Sequence, residues 1–242
     1  MQPDTLELNA ESQNLAWLES SSLEMLKRAL IDKVAGETAI VSSFGAESAV
    51  LLWLVAQVDK DAPVLFIDTQ MMFQETLDYQ RELADHLGLR NVRVISADAT
   101  EIRRNDVFGR LHLKDTDACC HLRKVVPLET ALESFDAWIT GRKRHQSASR
   151  ADIRPFEVDE ANGKTKINPL LLWDRADIEA CFEAHDLPRH PLVGDGFTSI
   201  GCAPCTAKPI AGADPRSGRW AGQDKTECGI HVVGGRIERV AS

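Results

Sequence analysis

Short β-rich runs alternate with helical patterns between residues 38 and 140, and this alternation constrains the fold more than any other feature of the chain. The β-rich runs cover residues 38–43, 63–69, 92–97 and 137–140, and residues 165–173 suggest a further strand and its turn. One helical pattern starts near Glu47, and another covers residues 74–87 and is closed by Gly88. Such alternation predicts an α/β fold, a parallel sheet flanked by helices. Ligands of these sheets bind at the carboxyl ends of strands, near a topological switch point.

The two ends of the chain differ from this alternating body. Residues 1–37 predict a helical lead-in, because leucines recur at roughly helical spacing and Gly36 stops the pattern. From about Phe197 the chain is rich in Gly, Pro, Arg and Asp and has little periodicity, which indicates an irregular segment. We therefore divide the chain into an α/β domain over residues 1–196, lead-in included, and a C-terminal segment over residues 197–242.

Composition excludes several classes of protein. The net charge of −9 over 242 residues argues against non-specific nucleic-acid binding through a broad basic surface. The longest nearly apolar run, residues 49–58, is about half of what a bilayer crossing requires, and no secretory signal is evident. We therefore expect a cytoplasmic protein without a membrane partner, in which six cysteines serve as metal ligands or catalytic groups rather than disulfides.

Residues 42–48, Ser-Ser-Phe-Gly-Ala-Glu-Ser, lie where the first strand turns into a helix. Small residues let backbone N–H groups approach an anion, hydroxyls add donors, and a helix N-terminus adds positive potential. A plain strand–turn–helix connection explains the same residues. The loop lacks the Gly-Lys-Ser/Thr ending of a Walker P-loop, and Phe44 stands where a pyrophosphatase loop has a glycine.

A second candidate anion site is the basic stretch within residues 140–150, which directly follows the fourth strand. It contains Arg142, Lys143 and Arg144 in succession, with Arg150 a little further on. Cations at this position are well placed to meet an anionic ligand at the sheet edge. A solvated basic turn is the alternative interpretation.

Two cysteine pairs, Cys119-Cys120 and Cys202-x-x-Cys205, can supply four thiolates to one inorganic centre. Zinc and iron–sulfur clusters both accept four thiolates. Adjacent cysteines reach a single small ion only with strain but can bind different irons of a larger cluster, which favours a [4Fe–4S] cluster. Zinc stays open, and a redox disulfide within the second pair is a weaker choice.

Cys228 has no cysteine neighbour and lies on a polar, Gly-rich tail. Lys225 and His231, each three residues away, favour its reactive thiolate form. An inert small residue is the alternative, although inert buried cysteines normally lie in apolar elements. Cys181 has such an apolar helical setting, and we interpret it as a core residue.

Together these features resemble the assimilatory, thioredoxin-dependent adenylyl-sulfate (APS) reductases. The resemblance spans residues 38–231. Its most specific part is the combination of the two cysteine pairs with the Glu-Cys-Gly-x-His motif of the tail. The related PAPS reductases typically lack the four cluster cysteines, so their presence favours APS as the substrate. The motifs are residues 42–48, Cys119-Cys120-x-x-Arg123-Lys124, residues 140–150, Cys202-x-x-Cys205, Arg216-x-x-Arg219-Trp220 and Glu227-Cys228-Gly229-Ile230-His231.

The resemblance implies a fold, a reaction and a set of partners. The fold is the PP-loop type, also called adenine nucleotide α-hydrolase-like, with residues 1–196 binding nucleotide and residues 197–242 forming a cluster-tethered segment and a mobile catalytic tail. The reaction reduces APS to sulfite and AMP, through an S-sulfocysteine on Cys228, in sulfate assimilation and cysteine biosynthesis. Thioredoxin or glutaredoxin supplies the electrons, and a homo-oligomer is compatible with the family.

The resemblance also implies roles for individual residues. Cys228 is the nucleophile, Lys124 a catalytic cation and His231 a support for the closed tail. Lys124, Arg216 and Arg219 are expected around the sulfate. The phosphate and nucleotide are expected to contact Ser42, Ser43, Phe44, Gly45, Ser48, Gly141 and Arg144. The [4Fe–4S] ligands are Cys119, Cys120, Cys202 and Cys205.

One position departs from the family pattern. After the second strand the family usually reads Asp-Thr-Gly, whereas this chain has Asp68-Thr69-Gln70. We carry no binding role onto position 70.

Three rival functions follow from the same residues. A PAPS reductase with an unusual metal site is the nearest, and competition between the two nucleotides would separate it from an APS reductase. A PP-loop enzyme that uses ATP and carries an Fe–S cluster is the second, but Phe44 and Glu47 disagree with its expected loop. A non-enzymatic cluster protein that senses redox state is the third, and it would need neither the nucleotide loop nor the tail cysteine.

Overall fold

A six-stranded sheet forms the centre of the computed structural model, which describes residues 5–147, 150–210, 212, 214–221, 225 and 230, with side chains from residue 13 onward. The strands are β1 (Thr38–Ser42), β2 (Val64–Ile67), β3 (Val92–Ile95), β4 (Ala137–Ile139), β5 (Phe156–Val158) and β6 (Thr165–Ile167). Their order in the sheet is β3-β2-β1-β4-β6-β5. All neighbouring strands are parallel except β5, which pairs antiparallel with β6 at the edge.

Helices cover both faces of this sheet. The described α-helices are α1 (Thr5–Leu30), α2 (Ser48–Val58), α3 (Gln74–Leu87), α4 (Ala99–Asn105), α5 (Leu111–Lys114), α6 (Thr116–Cys120), α7 (Val126–Leu132), α8 (Arg175–Ala184) and α9 (Pro191–Gly194). A π-helical turn, His121–Val125, joins α6 to α7, and 3₁₀ turns cover Arg144–Gln146 and Ala203–Cys205. No helix in the described part of the chain has the length and apolar character that a membrane crossing needs.

The strands divide their side chains between two cores. Ile40 and Phe66 pack on one face with residues of α1, α2, α3 and α8. Val41, Leu65 and Trp138 pack on the other face with α7. Since successive side chains of a strand point to opposite faces, strands that are buried on both sides are apolar throughout. The α/β fold with a helix-flanked parallel sheet is therefore confirmed.

The strand order creates a switch point between β1 and β4. From β1 the chain moves outward through β2 and β3, and it then returns to add β4 on the opposite side of β1. The loops that leave the carboxyl ends of β1 and β4 consequently diverge and leave a crevice between them. These loops are the two candidate anion-binding segments of the sequence.

The predicted strands start within one residue of their predicted positions and end earlier than predicted, whereas the strand β5 was not predicted. Helix α3 covers residues 74–87, and Gly88 ends it with a left-handed backbone, at a φ of 68°. The irregular segment after Phe197 takes part in two isolated β-bridges, Met72 with Cys202 and Thr206 with Arg219. The second bridge lies within the segment, so the first is the one that joins it to the loop after β2.

Candidate active site

A cavity of about 320 Å³ lies at the switch point. Its walls come from the loop after β1, the segment after β4, the residues that follow Phe197, and Lys124. Ligand sites of open parallel sheets occur at this place, because strand carboxyl ends and helix N-termini meet there. The cavity is therefore the first candidate for a substrate site.

The loop after β1 lines this cavity with small polar residues. Ser42, Ser43, Gly45 and Ser48 are all part of the wall. Phe44 is not, because its ring is fully buried and packs edge-on against Phe66 with the ring centroids 5.3 Å apart. The Phe44 amide donates a hydrogen bond to Ser42 Oγ at 3.2 Å, which stabilises the tight turn. Phe44 thus anchors the loop through its ring while its neighbours face the cavity.

Glu47 stands at the N-cap of α2 but does not cap the helix. Its carboxylate instead accepts hydrogen bonds from Lys143 Nζ at 2.7 Å and Gln146 Nε2 at 3.1 Å. Burial by itself raises the pKa of the Glu47 carboxyl, but the Lys143 ammonium and these hydrogen bonds hold the pKa below its usual value. The charged pair joins the two walls of the crevice and leaves the first turn of α2 without a side-chain cap.

The basic segment after β4 uses most of its cations for internal contacts. Arg142 donates to Asn168 Oδ1 at 3.0 Å and pairs with Glu157, while Lys143 pairs with Glu47. Arg144 donates to the carbonyl of Ile153 at 3.0 and 3.1 Å and does not line the described part of the cavity. Gly141, Arg142 and Lys143 do line it. The anion-binding role of Arg144 therefore stays a prediction that the geometry of its side chain does not favour.

Arg216 and Arg219 line the opposite wall of the cavity. The Arg219 guanidinium lies 4.6 Å from the ring centroid of Trp220, and its Nε is buried without a hydrogen-bond partner in the described protein. Gly201 lets this guanidinium approach the backbone, because a Cβ at position 201 would overlap it. A buried donor without a partner is unusual, so Arg219 is suited to receive an oxyanion.

The four paired cysteines line one small cavity beside the first. Cys119 and Cys120 end helix α6, and Cys202 and Cys205 bracket the 3₁₀ turn after the Met72 bridge. Cys202 Sγ also lies 3.2 Å from Thr69 Oγ1. Residues about eighty positions apart in the chain thus converge as the two pairs predict.

The thiols of this second cavity influence one another, and all but the partly exposed Cys205 are buried. Burial raises the pKa of Cys119 to about 11, with Cys202 and Cys205 adding to the effect and Arg123 opposing it. Burial also raises the pKa of Cys205, and Lys124, Arg219 and Lys225 oppose that shift. A metal centre that binds thiolates would therefore have to displace the protons of these thiols. The nearby cations would favour the loss of those protons, because they lower the thiol pKa values.

The spacing of these thiols bears on which centre they could hold. In the described part of the chain, the one group of three or more potential ligand atoms within 4.8 Å of each other is Glu19, Cys181 and His185. No three of the four paired cysteines are therefore that close. Tetrahedral zinc with bonds of about 2.3 Å would bring its sulfurs to roughly 3.8 Å. The arrangement is wider than a single zinc ion requires.

The π-helical turn after Cys120 connects the two cavities. Arg123 is buried there, donates to Thr69 O at 2.9 Å and pairs with Asp106 at 2.8 Å. Lys124, the next residue, lines both cavities, as does Cys202. Consecutive side chains of a helical turn point in different directions, so neighbouring residues can face different surroundings. The turn thus directs one cation to the interior and the next to the crevice.

The predicted nucleophile Cys228 and its neighbour His231 lie outside the described residues. Two residues near them in the chain are described, and both contact the site. Lys225 is buried, pairs with Asp117 of α6 and lies 5.7 Å from the Trp220 ring centroid. Ile230 lines the larger cavity and packs beside the core of Leu65 and Trp138.

Sequence reasoning missed several residues of this site. Glu47, Gln146 and Thr69 are polar residues that face the site from neighbouring loops, and their partners lie far away in the chain. The Asp106–Arg123 pair was also missed, although Arg123 stood within a motif. The usable signal was position alone, since each follows a strand or flanks a cysteine pair.

Comparison with known proteins finds a matching family, similar sequences and a similar solved structure, all named as reductases of adenylyl sulfates. The family described as phosphoadenosine phosphosulfate reductase domain matches residues 37–208. A relative from Chelativorans sp. (strain BNC1), named adenosine 5'-phosphosulfate reductase, is 47% identical over 96% of this chain and 92% of its own length. A Gloeobacter violaceus relative named phosphoadenosine 5'-phosphosulfate reductase is 40% identical over 80% of this chain and 81% of its own. The solved structure of phosphoadenylyl-sulfate reductase from Candida auris, a phosphate complex, is similar with a TM-score of 0.66 at 25% identity, covering 86% of this chain and 99% of that one.

Proposed function

The chain belongs to the phosphoadenosine phosphosulfate reductase domain family, and on that premise we propose that it reduces adenosine 5'-phosphosulfate to sulfite and AMP in sulfate assimilation. The observation that carries this proposal is the pair of adjoining cavities. One has a small-residue loop and cations suited to a nucleotide anhydride, and the other is lined by the four paired cysteines. Lys124 and Cys202 belong to both.

The chemistry follows from the substrate. The sulfur of APS is electrophilic, and AMP is a competent leaving group. The Cys228 thiolate would attack this sulfur, forming an S–S bond while the S–O bond to AMP breaks, and Cys228 would then carry an S-sulfonate. A thiolate of reduced thioredoxin or glutaredoxin would attack the Cys228 sulfur and release sulfite. The second thiol of that protein would resolve the mixed disulfide, so its dithiol supplies both electrons.

Cations must offset the negative charges that approach one another in the first step. The substrate and the thiolate are both anionic, and their repulsion would prevent attack in a site without cations. Lys124, Arg216 and Arg219 all line the cavity and could face the sulfate group. The residues 42–48 loop and the first turn of α2, which has no side-chain cap, could face the phosphate.

We propose that Cys119, Cys120, Cys202 and Cys205 hold a [4Fe–4S] cluster. Three features support the fit: the donors are four cysteines of which three are buried and Cys205 is partly buried, their spacing exceeds that of a zinc site, and unpaired donors are nearby. His112 Nδ1 and Arg123 Nε are buried without hydrogen-bond partners in the described protein, and both residues line this cavity. Cluster sulfurs accept such hydrogen bonds. When bound, the cluster would supply electrostatic and structural support, holding residues 197–210 and Lys124 beside the substrate.

A second substrate has a specific observation in its favour. The relative from Gloeobacter violaceus is named a phosphoadenosine 5'-phosphosulfate reductase at 40% identity. We prefer APS because the more similar relative, at 47% identity, is named for it, and because the four cysteines accompany that activity in the family resemblance. A cytoplasmic location and a thioredoxin-type partner complete the proposal.

Intact-protein mass spectrometry tests this function directly. The cluster-replete protein is incubated anaerobically with APS or PAPS, next to a Cys228→Ser variant as the control. We expect APS to leave one sulfite-sized adduct on the wild-type protein and none on the variant. Reduced thioredoxin should then remove the adduct from the wild type. An adduct that forms with PAPS alone would show that PAPS, not APS, is the substrate. The absence of an adduct with either nucleotide would refute the reductase function.

A further inference from the structure

Two helices, α1 and α8, meet at a second group of metal-ligating side chains, apart from the paired cysteines. Glu19 lies on α1, Cys181 lies on α8, and His185 directly follows α8. One ligand atom from each lies within 4.8 Å of the other two. We propose that Glu19, Cys181 and His185 bind a Zn²⁺ ion that fastens α1 to the α/β domain.

The donor set suits this ion. Zinc binds thiolate sulfur, imidazole nitrogen and carboxylate oxygen, and this group offers one of each. Cys181 is fully buried, whereas the side chains of Glu19 and His185 are 17% and 28% exposed. Zinc would therefore have three protein ligands and a water in the fourth position, on the exposed side.

The backbone already arranges the ligands on one surface. Cys181 and His185 are four residues apart, and the His185 amide donates to the Cys181 carbonyl at 3.2 Å, so both side chains lie on one side of the helical turn. The Trp53 ring of α2 stacks on the His185 imidazole with centroids 3.8 Å apart and planes at 22°. This stacking fixes the plane of the imidazole before any metal arrives.

A metal would replace a proton between two of the ligands. His185 Nε2 lies 2.6 Å from Glu19 Oε1, which is a hydrogen bond. Zinc with bonds of about 2.0–2.1 Å would hold these atoms roughly 3.3 Å apart. A shift of well under 1 Å in two partly exposed side chains achieves this separation.

Charge balance also favours the ion. A thiolate and a carboxylate together neutralise Zn²⁺, so the loaded site carries no net charge at the edge of an apolar core. Without metal, burial raises the pKa of Cys181 to about 12, and Glu19 adds to the effect, so the thiol is protonated. Zinc binding would release that proton.

The site has a definite structural consequence. Other contacts of α1 with this region include Ser22 Oγ, which donates to Pro169 O at 2.8 Å and accepts from Trp173 Nε1 at 2.9 Å. Asn14 Nδ2 also donates to Asp177 Oδ1 at 3.0 Å. An ion at Glu19 would lie between these two contacts along α1. It would thus hold the middle of the helix against α8.

Metal stoichiometry tests the proposal on the full-length, cluster-replete protein under anaerobic, reducing conditions. Co²⁺ serves as the spectroscopic probe, with the bound metal also counted by elemental analysis. We expect the wild type to bind one more Co²⁺ per chain than Cys181→Ala, His185→Gln or Glu19→Gln. Because the four paired cysteines are unchanged in all these proteins, any metal that they bind cancels in the comparison.

A matched variant and a second measurement complete the test. Glu24→Gln removes an exposed carboxylate from the same helix and should bind as much Co²⁺ as the wild type. Glu19→Gln preserves side-chain shape, so it guards against a folding defect in Cys181→Ala. Zn²⁺ should raise the melting temperature of wild type and Glu24→Gln by more than that of Glu19→Gln. Equal Co²⁺ stoichiometry and equal Zn²⁺ stabilisation across all variants would refute the proposed metal site. Glu19 and His185 would then form only an ion pair beside the buried thiol of Cys181.

Discussion

Phe44 and Gln70 have left-handed backbone conformations, with φ angles of 47° and 59°, in the loops that follow β1 and β2. A pyrophosphatase loop has a glycine where this chain has Phe44, and the APS reductases that this chain resembles usually have one at position 70; the left-handed backbone supplies a physical reason for both. A residue with a Cβ is strained in this conformation, whereas glycine is not. At position 70 an Asx turn compensates in part, because the Gln70 amide donates to Asp68 Oδ1 at 2.8 Å. The departure of Gln70 from the family pattern is therefore a matter of backbone strain.

Replacing Gln70 by glycine should stabilise the protein. Relief of the left-handed strain is worth about 1–2 kcal/mol, and the greater entropy of glycine in the unfolded chain offsets about 0.5–1 kcal/mol of it. We expect the free energy of unfolding in urea to rise by roughly 0.5–1 kcal/mol. Gln74→Gly, in the first turn of α3, is the control and should lower it. A lower free energy of unfolding in both Gln70→Gly and Gln74→Gly would contradict the argument from backbone strain.

Gly201→Ala should weaken substrate binding more than it weakens the fold. The new Cβ would overlap the Arg219 guanidinium, which is the far end of a flexible side chain and can move away from the cavity wall. Loss of one charge-assisted contact is worth about 1.5–3 kcal/mol, so KM for APS should rise about tenfold or more. Gly194→Ala, where a Cβ meets open space, is the control. An unchanged KM in Gly201→Ala would show that Arg219 does not bind substrate.

At the scale of elements, His190 is a buried link between α3 and α9. Its Nδ1 accepts a hydrogen bond from the Leu192 amide at 3.2 Å, and its Nε2 lies 2.9 Å from Thr76 Oγ1 on α3. Because Nδ1 accepts, the proton of the neutral ring is on Nε2, and Nε2 donates to Thr76. Burial lowers the pKa of His190 to about 4, and Glu75 only partly opposes this shift.

This link predicts a loss of stability in mild acid. The unfolded chain takes up a proton at His190 near pH 6.5, whereas the folded protein resists it until about pH 4. The contribution of His190 is thus complete above pH 6.5 and falls by about 3 kcal/mol as pH approaches 4. We expect His190→Gln, whose amide can make both hydrogen bonds, to show a shallower decline of unfolding free energy over this range. Parallel pH profiles for the two proteins would contradict the assignment.

The elements that sequence alone could predict are those with a regular pattern. The strands β1 to β4 and the helix α3 are long or apolar enough to be read directly. The strand β5 has three residues, and Val158 is largely exposed, so it lacks both signals. Helices α4 to α7 were also missed because most are shorter than two turns and a π-helical turn interrupts their period.

The candidate site likewise contains features that the sequence could predict and features that it could not. Both loops at the switch point and the convergence of the four cysteines were predictable, because strand order and residue type decide them. The partner of Lys143 was not, since Glu47 lies 96 residues earlier and meets it only once β1 and β4 are neighbours. The orientation of Arg144 toward Ile153 likewise depends on tertiary packing. The two-part division at residue 196 stays a prediction.

At the scale of the whole molecule, the two cavities share a wall and should respond together. Lys124 and Cys202 line both, and Cys202 belongs to the segment that also carries Gly201 and Cys205. A perturbation at the cysteines should therefore reach the substrate cavity through this segment.

Removal of iron by a chelator should loosen this shared wall selectively. Without the proposed cluster, the segment over residues 198–206 would keep only its protein contacts, among them the hydrogen bond from the Ala203 amide to the Met71 carbonyl at 2.8 Å. We expect its amide hydrogens to exchange about tenfold faster or more, and AMP to bind more weakly. Amides of β1 and β2 serve as the internal control and should keep their protection. Unchanged exchange at residues 198–206 would contradict a structural role for the cluster.

The position of β1 in the sheet also bears on how the chain is made. Its partner β2 follows within a few tens of residues, whereas Thr38 pairs with Ala137, nearly a hundred residues later. On a ribosome that adds about 5–20 residues per second, roughly 5–20 seconds pass between synthesis of the two strands. During that interval one edge of β1, a strand that is buried along its length, has no partner, and such an edge can pair with another chain. We therefore expect a half-sheet with an open edge to form first, and the yield of the protein to depend on chaperones and on the speed of translation between β1 and β4.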